Sequence, residues 1–348
     1  MTKGRVVHVA WSLRIGGIET MLVNLANVQA EYGMAVKIVI INNQIDEELA
    51  SRISDKVEVV RLNRSPKSRS PWSIIRLNCE FFGADIIHCH SFTIATYVLP
   101  IFRRKLLLTI HTTDKSPKLT QKLLKKYRTV ASISEGVQRM LKDDFATDSI
   151  VVYNGIDTAN IRCKEYSTPS QPLKIVQLGR LIRLKGHHTL IDAIAKLPTD
   201  AVRLDIIGDG EERTAIEQLI EKNNLQDCVR ILGQQSQHYV FEHLADYDLL
   251  VQPSIVEGFG LTVAEAMTAG IPVLVSDIEG LREVVACGKY GRMFTAEDSE
   301  SCAMALQEFI KNPPTCEEVL SAKNFAMGKF DIHSVANGYI DLYKVISR

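Results

Sequence analysis

Two short apolar runs, residues 248–253 and 271–276, bracket a helical segment that opens at Thr262 and stops at Gly270. Each run has the length of a buried strand, and the order strand, helix, strand is a βαβ unit. Ligands of such units sit at the carboxyl ends of the parallel strands. Gly258 and Gly260 fall there, leaving backbone N–H groups bare, and the start of the helix favours an anion. Glu257 and Glu265 would repel a bound phosphate. They make sense only if cations elsewhere neutralise it while the carboxylates accept hydrogen bonds from hydroxyl groups, as on a sugar and a ribose. A plainer alternative stays open: Thr262 and Glu265 stand three apart, as in a capping box, and Glu257 is then a solvated loop acid.

The rest of the chain repeats the same alternation. A strand over 6–10 leads through Gly16-Gly17 into a helix that runs to about Tyr32, with Gly33 as its stop. Further strands are expected at 36–41, 57–60, 85–90, 106–110 and 129–133, and then at 173–178, 204–207 and 229–233. Alternating strands and helices imply parallel sheets. The first strand is followed by no G-x-G-x-x-G spacing, which argues against a nicotinamide dinucleotide, while Gly16 and Gly17 still offer amides to an anion or a sugar, or merely make a tight turn. A break at 150–160 and the polar link carrying Pro169 and Pro172 divide the chain into domains 1–157 and 158–333.

Arg180 and Lys185, just past the first strand of the second domain, are the cations that the glutamate site requires, because an arginine forks onto phosphate oxygens and a lysine adds a compact charge. Gly208 and Gly233 end the next two strands, where their loops can approach a nucleotide. His111 lies at the end of the strand over 106–110, the usual place for a functional group in an α/β protein. His88-Cys89-His90 suggests a metal only superficially, since alternate residues on a strand face opposite ways and Cys89 points away from both histidines. Asp246 and Asp248 form a D-x-D, a spacing that suggests a metal, but they stand ahead of a strand in the second of two Rossmann-like halves, and no metal is expected there.

Composition excludes disorder: 46% of the 348 residues are hydrophobic and 24% charged. No apolar run spans a bilayer, the amino terminus lacks a signal-peptide core, and seven cysteines without a C-x-x-C pair suit a reducing compartment, so a cytoplasmic protein is expected. The net charge of zero hides an asymmetry. Residues 1–150 carry 22 Lys and Arg against 14 Asp and Glu, hence +8, and the remainder carry 19 against 27, hence −8. The basic half therefore faces an anionic partner, and its amphipathic stretch 118–128, with Lys118, Lys122, Lys125, Lys126 and Arg128 opposite Leu119, Leu123, Leu124 and Tyr127, reads either as a membrane-surface helix at the inner leaflet or as a core helix with solvated lysines. Nucleic acid is not indicated, because no stacking aromatics interleave with the basic residues.

Glu257-Gly258-Phe259-Gly260 followed by Glu265 resembles the E-x7-E signature of the retaining, GT-B-type glycosyltransferases of family 4, and the flanking Gln252-Pro253-Ser254 and Ala264-Glu265-Ala266-Met267 fit it too. Gly179-Arg180-Leu181 with Lys185-Gly186, Gly16-Gly17 with Glu19, and Asn154-Gly155-Ile156-Asp157 resemble other segments of that family. The resemblance covers nearly the whole chain. It implies two Rossmann-like domains whose parallel sheets face across a cleft, with the last helix, about 334–348, returning to the first domain. It implies a donor site of Gly16, Gly17, Arg180, Lys185, Gly208, Gly258, Phe259, Gly260 and Glu265, with His111 and Glu257 catalytic at the transferring sugar and Glu265 on the ribose. The implied activity is metal-independent, retaining transfer of a sugar from UDP-sugar or GDP-sugar to a hydroxyl of a glycan or polyprenyl-linked acceptor in surface polysaccharide synthesis, with no other cofactor. A nucleotide-sugar epimerase or hydrolase and a non-catalytic nucleotide-sugar binder remain alternatives.

Overall fold

In the computed structural model, which describes residues 4–14, 16–66, 68, 70–112, 119–198 and 200–347, the chain divides into two compact units, Met1–Ile156 with Phe330–Arg348 and Asp157–Lys329. The first holds strands β1 (Arg5–Ala10), β2 (Ala35–Asn42), β3 (Val57–Arg64), β4 (Ile86–Cys89), β5 (Leu106–Ile110), β6 (Thr129–Ser132) and β7 (Ile150–Val151). They form one sheet in the order β3-β2-β1-β4-β5-β6-β7, every pair parallel. The second holds β8 (Leu173–Leu178), β9 (Val202–Ile207), β10 (Val229–Gly233), β11 (Leu249–Gln252), β12 (Val273–Ser276) and β13 (Arg292–Phe294), again all parallel, in the order β10-β9-β8-β11-β12-β13.

Parallel strands covered on both faces lose their alternation and read as continuous apolar runs, and the central strands here do so. Leu106–Ile110 and Leu249–Gln252 are buried at every position. Each sheet reverses its strand order once, between β1 and β4 in the first unit and between β8 and β11 in the second. Loops leaving the carboxyl ends of such a pair run to opposite sides and open a crevice between them, and in the second unit this geometry positions Arg180, Lys185 and Glu257.

The C-terminal helix Ile332–Ile346 belongs to the first unit. Asp331 caps it by accepting from the amides of His333 and Ser334. Its apolar stripe of Val335, Tyr339, Leu342 and Ile346 enters the same core as Leu22, Leu25 and Ala26 of the helix Gly17–Glu31. Among the described residues no helix is long and apolar enough to cross a membrane.

The basic stretch 118–128 departs from an extended amphipathic helix. Lys118 lies outside the described residues, and the helix itself is a single turn, Gln121–Leu124, capped by Thr120. Leu119, Leu123, Leu124 and Tyr127 are all buried, because the apolar face packs into its own unit. That face is closed to a bilayer, while Lys122, Lys125, Arg128 and the half-buried Lys126 reach the surface.

Candidate active site

In the second unit, the segment after β8 and the segment after β11 meet at the point where the strand order reverses. The Ile255 amide donates to Leu184 O at 2.8 Å and joins them. Lys185, at the end of a 3₁₀ turn, makes an ion pair with Glu257 while both side chains stay about one-fifth exposed, at 21% and 20%. The Ser254 hydroxyl also donates to Glu257 Oε2 at 3.3 Å and accepts from Gln252 Nε2 at 2.8 Å. Gln252 Oε1 in turn accepts from the Thr262 hydroxyl at 3.2 Å. Strand end, loop and helix start are thus tied by one line of side-chain hydrogen bonds, with Gln252 and Ser254 fully buried. Glu257 is therefore a held group rather than a solvated loop acid.

Glycine is required at several points around this site, Gly208 and Gly260 among them. Gly208, at the end of β9, has φ +152°, and a Cβ there would lie 1.9 Å from Gly179 O. Gly260, with φ +113°, precedes the helix Leu261–Ala269, and its Cβ would fall 2.6 Å from Leu281 Cδ2. Gly258 stays in the loop between them, whereas the neighbouring Phe259 ring is 2% exposed and packs inward, so only the backbone of that residue is left to meet a ligand.

The capping box does not form. Gly260 is the N-cap, no side chain caps the helix, and the Thr262 hydroxyl is spent on Gln252. Glu265 is half-buried and makes no hydrogen bond or ion pair among the described residues, and burial pushes its carboxyl up to about 8. Arg180, exposed just past β8, likewise has no ion-pair partner among the described residues. A desolvated carboxyl and a free guanidinium flanking a strand-end crevice are what a ligand with both hydroxyl and phosphate groups requires.

Asp246 and Asp248 lie at the other end of β11. Asp246 is bound by Arg162 and by His243 Nδ1, the latter at 2.8 Å, and Asp248 accepts from the amides of Ser170 and Lys174 at 3.2 and 3.1 Å. Both carboxylates are engaged by protein groups at the amino end of the strand, whereas Gln252, Ser254 and Glu257 follow its carboxyl end.

In the first unit, Gly16 is the extended N-cap of the helix Gly17–Glu31 and no side chain caps it, while Ile15 before it lies outside the described residues. His111 follows β5 with its Nε2 3.3 Å from His90 Nδ1, and its Nδ1 is buried without a hydrogen-bond partner. Burial holds the His111 imidazole down at about 4, opposed in part by the neighbouring Asn154 side chain. Thr112 is described after it, but the polar residues Thr113 and Asp114 are not. His88 and His90 do face the same side of β4, and His8 of β1 pairs in register with His88, so three imidazoles converge in a layer that the local sequence does not reveal. Strand pairing is the only signal for it. The supports of Glu257 were more accessible, since Gln252, Ser254 and Thr262 already flank the signature.

Residues 15–160 match the family model described as Glycosyltransferase Family 4, and residues 161–323 match Glycosyl transferases group 1. A phosphatidyl-myo-inositol mannosyltransferase of Mycobacterium leprae is 25% identical over 362 residues, covering 95% of this chain and 94% of that protein. A putative colanic acid biosynthesis glycosyltransferase of Salmonella typhimurium is 31% identical over 176 residues, which cover 48% of this chain and less than half, 43%, of that protein. Among solved structures, Anabaena HepE in complex with UDP and glucose superposes with TM-score 0.81 at 20% identity, over 98% of this chain and 100% of that one. A glycosyltransferase from Rickettsia africae gives 0.80 at 19%, over 99% of both chains. The fold shared with these structures is GT-B, two Rossmann-like α/β domains, here with seven and six parallel strands.

Proposed function

We propose that this chain, which belongs to the family 4 glycosyltransferases (glycosyl transferases group 1) and has their GT-B fold, moves a sugar from a nucleotide diphosphate sugar to a hydroxyl of a glycan or lipid-linked acceptor in polysaccharide or glycolipid synthesis, with retention at the anomeric carbon. The observation that carries the donor reading is Glu265, a desolvated carboxyl with no hydrogen-bond or ion-pair partner among the described residues, one turn into the helix after β11. Ribose hydroxyls would satisfy it, Arg180 and Lys185 would take the diphosphate, and the strand-end turns at Gly208 and Gly258 would let backbone approach the nucleotide. Glu257 would then receive a hydroxyl of the transferring sugar, held in place by Ser254 and Lys185. Named relatives favour glycan or glycolipid acceptors: the Mycobacterium leprae protein is a phosphatidyl-myo-inositol mannosyltransferase and the Salmonella protein is assigned to colanic acid biosynthesis.

Thermal melts against UDP-, GDP- and ADP-sugars identify the donor, because a ligand at about 100 times its dissociation constant stabilises by about 2.7 kcal/mol. Product analysis with the stabilising donor tests the transfer. Sugar joined to added acceptor supports transfer, while free sugar or an epimer formed at the same rate without acceptor refutes it.

A further inference from the structure

The helix Trp72–Cys79, which follows β3, carries apolar residues on both sides. Leu77 and Asn78 face inward and are buried, while Trp72, Ile75, Arg76 and Cys79, spaced i, i+3, i+4 and i+7, share the outer face and are exposed. A surface helix ordinarily turns polar residues outward, and this one turns a tryptophan and an isoleucine to solvent. The chain beyond it continues the same surface. Asn78 Nδ2 donates to Tyr97 O at 2.9 Å and Asn78 Oδ1 accepts from the Leu99 amide at 2.8 Å, which sets the segment 97–99 along the helix. The Phe82 ring meets Phe102, buried in the 3₁₀ segment Pro100–Lys105, edge to face with centroids 5.3 Å apart. Leu99 and Ile101 stand exposed on either side of Pro100. Among the described residues the three most exposed large apolar side chains are Ile101 at 69%, Trp72 at 66% and Phe82 at 65%, and all three belong here. Single exposed apolar residues need no explanation, but a joined set of five does.

The charge around this surface is of one sign. The side chains of Arg76, Arg103 and Arg104 are exposed and have no hydrogen-bond or ion-pair partner among the described residues. The only acids between residues 71 and 105 are Glu80 and Asp85, and both are engaged, Glu80 by Lys37 Nζ at 2.6 Å and Asp85 by the Arg5 amide at 2.7 Å. Guanidinium groups fork onto phosphate oxygens, and apolar side chains between them need an apolar layer next to those phosphates. A lipid leaflet offers both, headgroup above acyl chain. A second copy of this chain fits worse, because a two-fold pairing of this face sets arginines against arginines.

We propose that the face made by the helix Trp72–Cys79, Phe82 and the segment 99–104 docks on an anionic lipid leaflet, with Trp72, Phe82 and Ile101 entering among the acyl chains and Arg76, Arg103 and Arg104 binding headgroup phosphates. This is a different surface from the basic stretch 119–128, whose leucines are already packed in the core. It lies wholly within the first unit and does not rest on the donor reading, so the failure of either leaves the other standing.

Co-sedimentation of the full chain with vesicles of phosphatidylcholine alone, or of phosphatidylcholine and phosphatidylglycerol in equal parts, tests this. Binding to the mixed vesicles and not to the neutral ones is expected. The chain has two tryptophans, and Trp11 is held by its hydrogen bond to Thr93, so a blue shift on binding and quenching by lipids brominated on the acyl chain should come from Trp72 and vanish in Trp72→Phe. Ile101→Glu and Phe82→Glu change exposed positions and should leave thermal melting unmoved while each lowers vesicle affinity about tenfold or more. Exchange of any one of the three arginines to Ala should weaken binding on the order of fivefold. No binding to the mixed vesicles, or binding that leaves Trp72 emission unmoved and tolerates Ile101→Glu, overturns the docking face. A dimer of the lipid-free chain that Ile101→Glu dissociates also overturns it, because a second copy then covers the surface.

Discussion

Glu265 links nucleotide binding to pH in a measurable way. Its carboxyl is raised from 4.5 to about 8 by burial alone, so at pH 7 about nine-tenths of the free protein carries it protonated. Ribose hydroxyls donate to the ionised form, and binding through them should return the group to its ordinary range and release about 0.9 proton at pH 7 and about half a proton at pH 8. Ionising it at pH 7 costs about 1.4 kcal/mol, so the dissociation constant of UDP or GDP should fall about tenfold from pH 6 to 7, less from 7 to 8, and level off above that. Titration calorimetry in two buffers of different ionisation enthalpy reads the proton count. Glu265→Gln, run in parallel, subtracts the nucleotide's own phosphate titration and should show neither the release nor the slope. The free protein carries a companion signature. An acid whose folded pKa is raised stabilises fully below its unfolded value near 4.5 and loses that contribution as pH rises through 8, so wild-type stability should decline by up to about 1.4 kcal/mol per pH unit in that window relative to the Gln variant. No proton release from the wild type, or equal release from both proteins, would refute the ribose contact.

Glu257→Gln should depress turnover more than donor affinity, because the group is assigned to the sugar rather than the nucleotide; a purely weakened dissociation constant with unchanged kcat speaks against that role. Gly208→Ala should lower stability by about 2 kcal/mol or more, read by thermal melting, since its Cβ would lie 1.9 Å from Gly179 O at a φ that side chains rarely adopt. Chelation with EDTA should leave transfer intact, with Arg180 and Lys185 neutralising the diphosphate; loss restored by magnesium or manganese would refute this. If the stretch 119–128 adds to docking on anionic lipid it must do so through surface cations such as Lys122, Lys125 and Lys126 alone, because the leucine face below them is buried. Each is worth about 1 kcal/mol at a charged leaflet, so their share of co-sedimentation with anionic vesicles should be abolished by salt and by their exchange to Glu, and a share that persists in high salt would contradict a purely electrostatic contact.

Much of this was legible in the chain itself. Period and punctuation place the strands, because a parallel strand covered on both faces must be an apolar run and an αβ connection must carry its turn residues, as at Gly33 and Gly270. The spacing of Glu257 and Glu265 and the pair Arg180 and Lys185 are likewise local, fixed by a loop and one helical turn. What the sequence left open was which of two local uses each residue serves. Thr262 and Glu265 satisfy the capping pattern as well as the ligand pattern, and only the position of the helix start at Leu261, two residues too early, removes the cap. The leucines of 119–127 fit a bilayer as well as a core until a core is found around them. Sheet order was wholly tertiary. That β8 neighbours β11, and β1 neighbours β4, follows from pairings across dozens of residues, and those pairings alone bring Lys185 to Glu257 and His8 to His90, because no property of a strand's own residues records which strand lies beside it.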